Sequence, residues 1–124
     1  MTATDRVSRP ALAARSLDDP DDRREFPSGR LDVVTVAGRQ VGRFTLQPGW
    51  RWSLSVGPTA GTASCEQSHL GYVVQGRLRV RAEDGTEGEA AAGDAYWIAP
   101  GHDAWVVGSE PAVFLDVAGA GDAA

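Results

Sequence analysis

The sequence predicts an all-β fold, either an antiparallel jelly roll or a closed β-sandwich. From Leu31 onward, short apolar runs alternate with polar residues, and Gly, Pro and Asp separate the runs. Spacing of this kind is typical of sandwiches and barrels. Eight or nine such runs can be counted, and no segment has a convincing helical period. This number of short strands favours a jelly roll.

The chain divides into an arm, one domain and a tail. Residues 1–30 carry six Arg against six acidic residues, several Pro, and few large apolar side chains. We predict a mobile N-terminal arm there, because such a segment cannot bury enough surface to fold. An arm of this kind could also add a strand to a neighbouring subunit. Residues 31–118 form the predicted barrel, and the Gly-Ala-rich residues 119–124 form a predicted frayed tail.

The first half of the domain contains three predicted strands and a loop. The strands are predicted at residues 31–36, 40–46 and 50–56. The third is predicted because Trp50, Trp52, Leu54 and Val56 alternate with Arg and Ser, as in a strand with one buried face. Residues 57–64 are small and contain two breakers, which indicates a loop.

The second half contains the remaining predicted strands. They are predicted at residues 70–75, 77–83, 87–91, 95–99, 103–107 and 112–118. Gly76 ends or bends the first of these. Asp84-Gly85 is the strongest hairpin signal in the chain, so the second and third of these strands should pair through a tight turn.

Composition excludes several classes of function. The only cysteine cannot form an internal disulfide, and no apolar run approaches the ~18 residues of a membrane span. We therefore expect a cytosolic protein. All twelve basic residues are Arg, which excludes lysine Schiff-base chemistry. The net charge of −5 disfavours nucleic acid or an anionic membrane as a partner.

Two segments carry the residues suited to chemistry. Residues 64–76 contain Cys65 and His69, and residues 93–105 contain His102. These are the only cysteine and the only histidines in 124 residues. Thiolates and imidazoles bind borderline transition metals well, and imidazole titrates near neutral pH. A functional site is therefore expected where these two segments meet.

The two segments resemble the motifs of small single-domain cupins. The first cupin motif runs His-x-His, three or four residues, Glu, six residues, Gly. Counting back from Gly76, the Glu position falls on His69, the second His position on Cys65 and the first on Ala63. The resemblance covers about residues 31–118. It implies a jelly-roll barrel with an internal site, but the usual metal ligands are not reproduced.

The second cupin motif matches at Gly93, Asp94, Pro100 and Gly101. Its usual His falls on Ala104, or on Asp103 if one residue is deleted, and His102 lies just upstream. The run Pro-Gly-His-Asp-Ala-Trp resembles a bacterial subgroup of small cupins, mostly of unassigned activity.

A modified metal site is one hypothesis for these residues. Cys65, His69 and His102 would give three ligands and an open position, suited to zinc, iron, nickel or manganese. In one extended strand Cys65 and His69 would lie ~13 Å apart at ~3.3 Å per residue, so a turn must separate them. The alternative is a metal-free site in which Cys65 is a buried apolar filler and His69 is hydrogen-bonded inside the barrel.

His69 and His102 could also act as catalytic acid and base without a metal. Glu66 or Asp103 would then set the tautomer of one ring. A further alternative places His102 at the Pro100-Gly101 turn, without a chemical role.

Aromatic residues provide a candidate ligand surface. We predict that Trp52, Tyr96 and Trp105 contact a flat organic or sugar-like ligand by stacking and through their polar groups. The alternative for each of them is a place in the core or in a dimer interface. Three functions stay open: an enzyme of small-molecule metabolism, a ligand-binding or sensory module without metal, and a structural homodimer joined by edge strands or by the arm.

Overall fold

The computed structural model describes residues 11–117 and contains two antiparallel sheets. Among these residues there are nine strands: β1 (Asp22–Phe26), β2 (Gly29–Val36), β3 (Arg39–Leu46), β4 (His69–Gln75), β5 (Arg77–Ala82), β6 (Glu87–Ala91), β7 (Ala95–Ile98), β8 (His102–Val107) and β9 (Ala112–Val117). The six-stranded sheet has the order β1-β2-β3-β9-β4-β7, and the three-stranded sheet the order β6-β5-β8. The predicted antiparallel jelly roll is confirmed.

The core lies between the two sheets. Leu46, Val73 and Phe114 from the six-stranded sheet cluster with Leu78 and Val106 from the smaller one. Burying apolar side chains from both sheets removes them from water, which is the main favourable contribution to folding.

The strand register decides which side chains face this core. Val73 on β4 pairs with Phe114 on β9, and Gly71 pairs with Asp116. Because successive side chains point to opposite faces, His69 lies on the same inner face of β4 as Gly71 and Val73. The carboxylate of Asp116 therefore enters the barrel beside the His69 ring, although Asp is usually a surface residue.

The predicted strand over residues 50–56 is wrong. Two helical turns follow there, α1 (Trp52–Ser55) and α2 (Gly57–Ala60), and α2 occupies the first half of the predicted loop. Asp103 stabilises α1: its carboxylate accepts hydrogen bonds from the Ser53 backbone N–H at 3.0 Å and from the Ser53 hydroxyl at 2.8 Å. A free N–H in the first turn of a helix needs such an acceptor. Trp52 is buried, whereas Leu54 is exposed.

The structure also differs from the expectation of a mobile arm. β1 pairs with β2 from Asp22↔Val33 to Phe26↔Gly29, so the sheet begins before Leu31. The Asp21 carboxylate accepts the Thr35 N–H at 2.8 Å, which fixes the entry to β1. The segment adds a strand to its own sheet. The residues 1–10 of the predicted arm, and the predicted tail, lie outside the described residues.

One charged cluster holds the N-terminal part of the chain on the outer face of the larger sheet. Asp32 has no exposed surface, and its carboxylate accepts from Arg23 at 2.6 Å, Arg43 at 3.1 Å and Arg30 at 3.3 Å. Arg43 also donates to the Leu17 carbonyl at 3.1 Å. The buried Asp32 carboxylate therefore connects β1, β2 and β3, and Arg43 extends this connection to Leu17. In the described part of the chain, no helix is long and apolar enough to cross a bilayer.

Candidate metal centre

Backbone pairing brings the two predicted site segments together. The Cys65 N–H donates to the His102 carbonyl at 2.7 Å, and the Gly101 N–H donates to the Cys65 carbonyl at 2.7 Å. Residues 66–68 are not in a strand, so the chain turns between Cys65 and His69. The turn that a shared site requires is present, and the ~13 Å separation of a continuous strand is avoided.

The three candidate ligand atoms converge inside the barrel. Those of Cys65, His69 and His102 all lie within 4.8 Å of one another. The Cys65 Sγ and His69 Nε2 atoms are 3.6 Å apart, and the two imidazole centroids are 5.3 Å apart. Tetrahedral zinc with ordinary bond lengths places a sulfur and a nitrogen ligand about 3.6 Å apart. The donor set therefore fits a metal of this size without rearrangement of that pair.

The second nitrogen of each imidazole has its own partner. The His69 Nδ1–H donates to Asp116 Oδ2 at 2.6 Å, and the His102 Nδ1–H donates to the Ala99 carbonyl at 2.6 Å. Because both Nδ1 atoms are engaged, the Nε2 atom of each ring is the one available to bind a metal. Carboxylates and carbonyls in this position orient metal-binding histidines and raise their basicity. Neither Glu66 nor Asp103 fills the role expected from the sequence: Glu66 is exposed, and Asp103 accepts from Arg51 and Ser53.

Asp116 is held in turn by Tyr96. The Tyr96 hydroxyl donates to Asp116 Oδ1, so both carboxylate oxygens are engaged. Burial and the neighbouring carboxylate raise the pKa of Tyr96, which keeps the phenol protonated as a donor. Gly71 lies opposite both residues, and a Cβ there would overlap the Leu115 carbonyl and lie 2.6 Å from the Tyr96 hydroxyl. The absence of a side chain at position 71 is therefore a condition for this network.

The charges within the site favour a cysteine thiolate. Burial acts to raise the pKa of Cys65, but the neighbouring His102 and His69 imidazoles outweigh it and lower the pKa to about 6. Burial likewise acts to lower the pKa of His69, and the Asp116 carboxylate and Cys65 raise it to about 9. The thiolate is the form that binds metals and attacks electrophiles. Near neutral pH the thiolate form of Cys65 is therefore favoured, and His69 must release a proton to a metal that binds.

The three residues open onto a cavity of about 530 Å³ inside the barrel. Trp52 lines this cavity, together with Trp50 and three Phe side chains. Tyr96 and Trp105 are not among its lining residues. The Tyr96 hydroxyl bonds Asp116, the partner of His69. The Arg51 guanidinium lies over the Trp105 ring, 4.3 Å from its centroid. Of the three predicted ligand contacts, Trp52 therefore lines the cavity, whereas Tyr96 and Trp105 contact other residues.

The sequence of the chain is similar to one known protein family. The family model of the cupin domain matches residues 42–118. The chain belongs to the cupin family. The cupin family predicted from the sequence is thereby confirmed. No sequence among curated proteins matches the chain.

Solved structures share the cupin fold. A protein of unknown function from Rhizobium leguminosarum superposes with a TM-score of 0.63 at 19% identity, covering 87% of this cupin and 96% of that chain. A variant of Bacillus subtilis oxalate decarboxylase gives a TM-score of 0.61 at 20% identity, covering 88% of this chain. This cupin spans only 30% of that enzyme. Another structure of the Bacillus subtilis enzyme is described as having Mn(II) centres.

Asp116 and the supporting role of Tyr96 were not predicted from the sequence. A signal for Asp116 was present, since it is the one charged residue in the apolar run of β9. Asp116 also follows Ala112 and Phe114 at two-residue spacing, so it lies on the same face of β9 as these two buried residues. A lone carboxylate at an inward-facing position of a strand requires a buried partner.

Proposed function

We propose that this cupin holds one divalent transition metal on Cys65, His69 and His102 and binds a small molecule beside it in the barrel cavity. The convergence of the three donor atoms, with both Nδ1 atoms engaged elsewhere, supports the proposal most strongly. A metal with an open coordination position supplies Lewis-acid polarisation or an activated water to a bound substrate. The chain would then be an enzyme of small-molecule metabolism.

The thiolate restricts the choice of metal. Sulfur and imidazole ligands favour zinc, iron or nickel, whereas manganese prefers oxygen ligands. No carboxylate belongs to the donor cluster of the described residues, because Asp116 reaches His69 rather than the ligating side of the site. We therefore expect the metal to differ from the Mn(II) reported for the Bacillus subtilis enzyme.

Metal analysis tests this proposal. Protein purified without an affinity tag or chelator should contain close to one zinc, iron or nickel per chain by mass spectrometry. The Cys65→Ala, His69→Ala double variant should contain none, because one remaining ligand cannot hold the ion. Glu66→Ala is the matched control, since Glu66 lies between the two ligands but is exposed. Wild-type protein that stays free of metal after incubation with these ions and with manganese would contradict the proposal.

A metal-free site is the second candidate, and one observation favours it. The Cys65 sulfur, the His69 imidazole and the Asp116 carboxylate are already joined in a continuous chain of hydrogen bonds. In that case His69 and His102 would serve as acid and base, or the cavity would bind a ligand without turnover. Single His69→Ala and His102→Ala variants separate these two: an enzyme should lose turnover and keep affinity, and a binding module should lose affinity.

We also propose that a second copy of the chain covers the outer face of β4 and β7. Leu70 and Trp97 are paired across these strands, Tyr72 lies on the same face, and the three are 40%, 57% and 46% exposed. Large aromatics offer roughly 150–250 Å² each, enough for the centre of an interface of about 800 Å² per partner. β7 is also the edge of its sheet, so the apolar face continues to a free edge.

Light scattering at micromolar concentration should therefore give the mass of a dimer. Trp97→Asp should give a monomer, because a buried unpaired charge is strongly unfavourable. Leu54→Asp should stay dimeric, since Leu54 is also an exposed apolar residue but belongs to α1. A monomeric wild-type protein would refute this assembly.

A further inference from the structure

We infer that the cavity accepts an apolar, ring-bearing molecule with a single polar head group, rather than a sugar or a small polyanion. The head group would lie at Cys65, His69 and His102, and this part of the inference rests on the proposed metal centre. The class of the ligand rests independently on the walls of the cavity.

The walls beside the three donor residues are aromatic. The Phe44 ring lies 6.4 Å from the His69 ring and is stacked on Phe114 with centroids 5.0 Å apart. Trp52 lines the same space. Aromatic faces favour flat apolar groups, and pairs of such rings gain stability beyond the area that they bury.

Charged groups are confined to the part of the cavity formed by β1. Apart from the donor cluster, the charged side chains in the described lining are Arg24 and Glu25. Arg24 is largely exposed and already donates to Asp22 at 2.9 Å. A dicarboxylate bound at the donor residues would therefore find a single further cation in the described wall, and that cation, Arg24, is already paired with Asp22. Apart from the donor cluster and β1, the described lining offers few polar groups, those of Ser55, Thr59, Gln67 and the two Trp indoles. A sugar would lose more hydrogen bonds to water than these few groups replace, which is costly.

The size of the cavity agrees with a ring-bearing ligand. A volume of about 530 Å³ lies within the ~300–1,000 Å³ typical of small-molecule pockets. At roughly 30 Å³ each, it has room for about 18 water molecules. Most of these waters would face apolar walls, and displacing poorly held water with an apolar group favours binding.

Cobalt-loaded protein allows the class of ligand to be tested with simple probes. Cobalt(II) bound by a thiolate and two imidazoles absorbs visible light, and this absorption reports on ligands that enter the open position. Imidazole, 4-phenylimidazole and oxalate would be titrated in parallel. We expect 4-phenylimidazole to bind about 10–100-fold more tightly than imidazole, because its phenyl ring is buried against apolar walls. Oxalate should bind more weakly than 4-phenylimidazole.

Variants on neighbouring positions locate the effect. Val56→Asp places a carboxylate in the lining and should remove most of the preference for 4-phenylimidazole, with the cobalt spectrum unchanged. Leu54→Asp is the matched control, because Leu54 is two residues away and exposed, and is not a lining residue. It should keep the preference of the wild type.

A metal-independent probe separates the two proposals. N-phenyl-1-naphthylamine, which is neutral and fluoresces in apolar surroundings, should bind wild-type and Leu54→Asp protein but not Val56→Asp. Uptake of this probe without cobalt binding would refute the metal centre and support the ligand class. Equal affinity for imidazole and 4-phenylimidazole on cobalt-loaded protein, or tighter binding of oxalate, would overturn the inference while the metal centre stood. Failure of the naphthylamine to bind would also overturn it.

Discussion

Asp32→Asn is expected to lower the free energy of unfolding by about 3 kcal/mol. Asp32 is fully buried, and Arg23, Arg30 and Arg43 all donate to its carboxylate. Removing one member of a buried ion pair typically costs about 3–5 kcal/mol. The low end applies, because Arg23 and Arg30 are 42% and 43% exposed and can regain water. Urea unfolding at neutral pH measures the change.

Asp22→Asn is the matched control for this substitution. Asp22 pairs with Arg24 on the same edge of the sheet, but both side chains are exposed. Exposed pairs contribute about 0–1 kcal/mol, so the control should unfold close to the wild type. Equal stability of Asp32→Asn and Asp22→Asn would show that the buried carboxylate does not hold β1, β2 and β3 together.

The Asp32 effect should also depend on pH. Burial acts to raise the pKa of Asp32, but hydrogen bonds from Arg23 and Arg43 outweigh it and hold the pKa below its usual value. A carboxyl with a depressed pKa stabilises the folded state fully above the unfolded pKa of about 3.9 and less as pH falls through the folded pKa. The stability difference between wild type and Asp32→Asn should therefore shrink below about pH 4. A difference that stays constant down to pH 2 would argue against this charge interaction.

The strands from β2 onward could largely be predicted because their signals are local. The two-residue turn between β2 and β3 has Ala37 and Gly38 at positive φ, the conformation that the tightest hairpins require. Asp84-Gly85 correctly placed the turn between β5 and β6. Residues 52–55 could not be predicted in the same way, because Asp103, which bonds Ser53, is 50 positions away. β1 was missed for a different reason: its residues 22–25 are all charged and exposed, so they show no apolar pattern, although Arg23 bonds Asp32 only nine positions away.

The composition of the candidate site was easier to predict than its geometry. Cys65, His69 and His102 stood out because they are the only thiol and imidazoles in the chain. Their convergence depends on the pairing of Cys65 with His102, which joins residues 37 positions apart and has no local signature. The partner of His69 lies further still, 47 positions away at Asp116. Hydrogen bonds between distant strands follow from register, and register is set by the whole sheet.

Asp116→Asn is expected to weaken metal binding by about 10–100-fold, although Asp116 is not itself in the donor cluster. Its carboxylate accepts the His69 Nδ1–H at 2.6 Å and fixes the ring with Nε2 facing Cys65. An amide can accept this bond, but it lacks the negative charge that makes the imidazole a stronger ligand. Losses of this size are typical when the partner of a metal-binding histidine is changed. Competition with a chelator of known zinc affinity measures the effect.

Two control variants distinguish this positioning role from a general loss of structure. Tyr96→Phe removes one donor to Asp116 but keeps its charge, so metal affinity should fall by less than in Asp116→Asn. Asp103→Asn changes a partly buried carboxylate next to His102 in sequence that bonds Arg51 and Ser53 instead. It should unfold more easily, because two of its acceptor contacts are weakened, yet folded protein should bind zinc as the wild type does. Equal zinc affinity of Asp116→Asn and wild type would mean that barrel packing alone holds His69 in place.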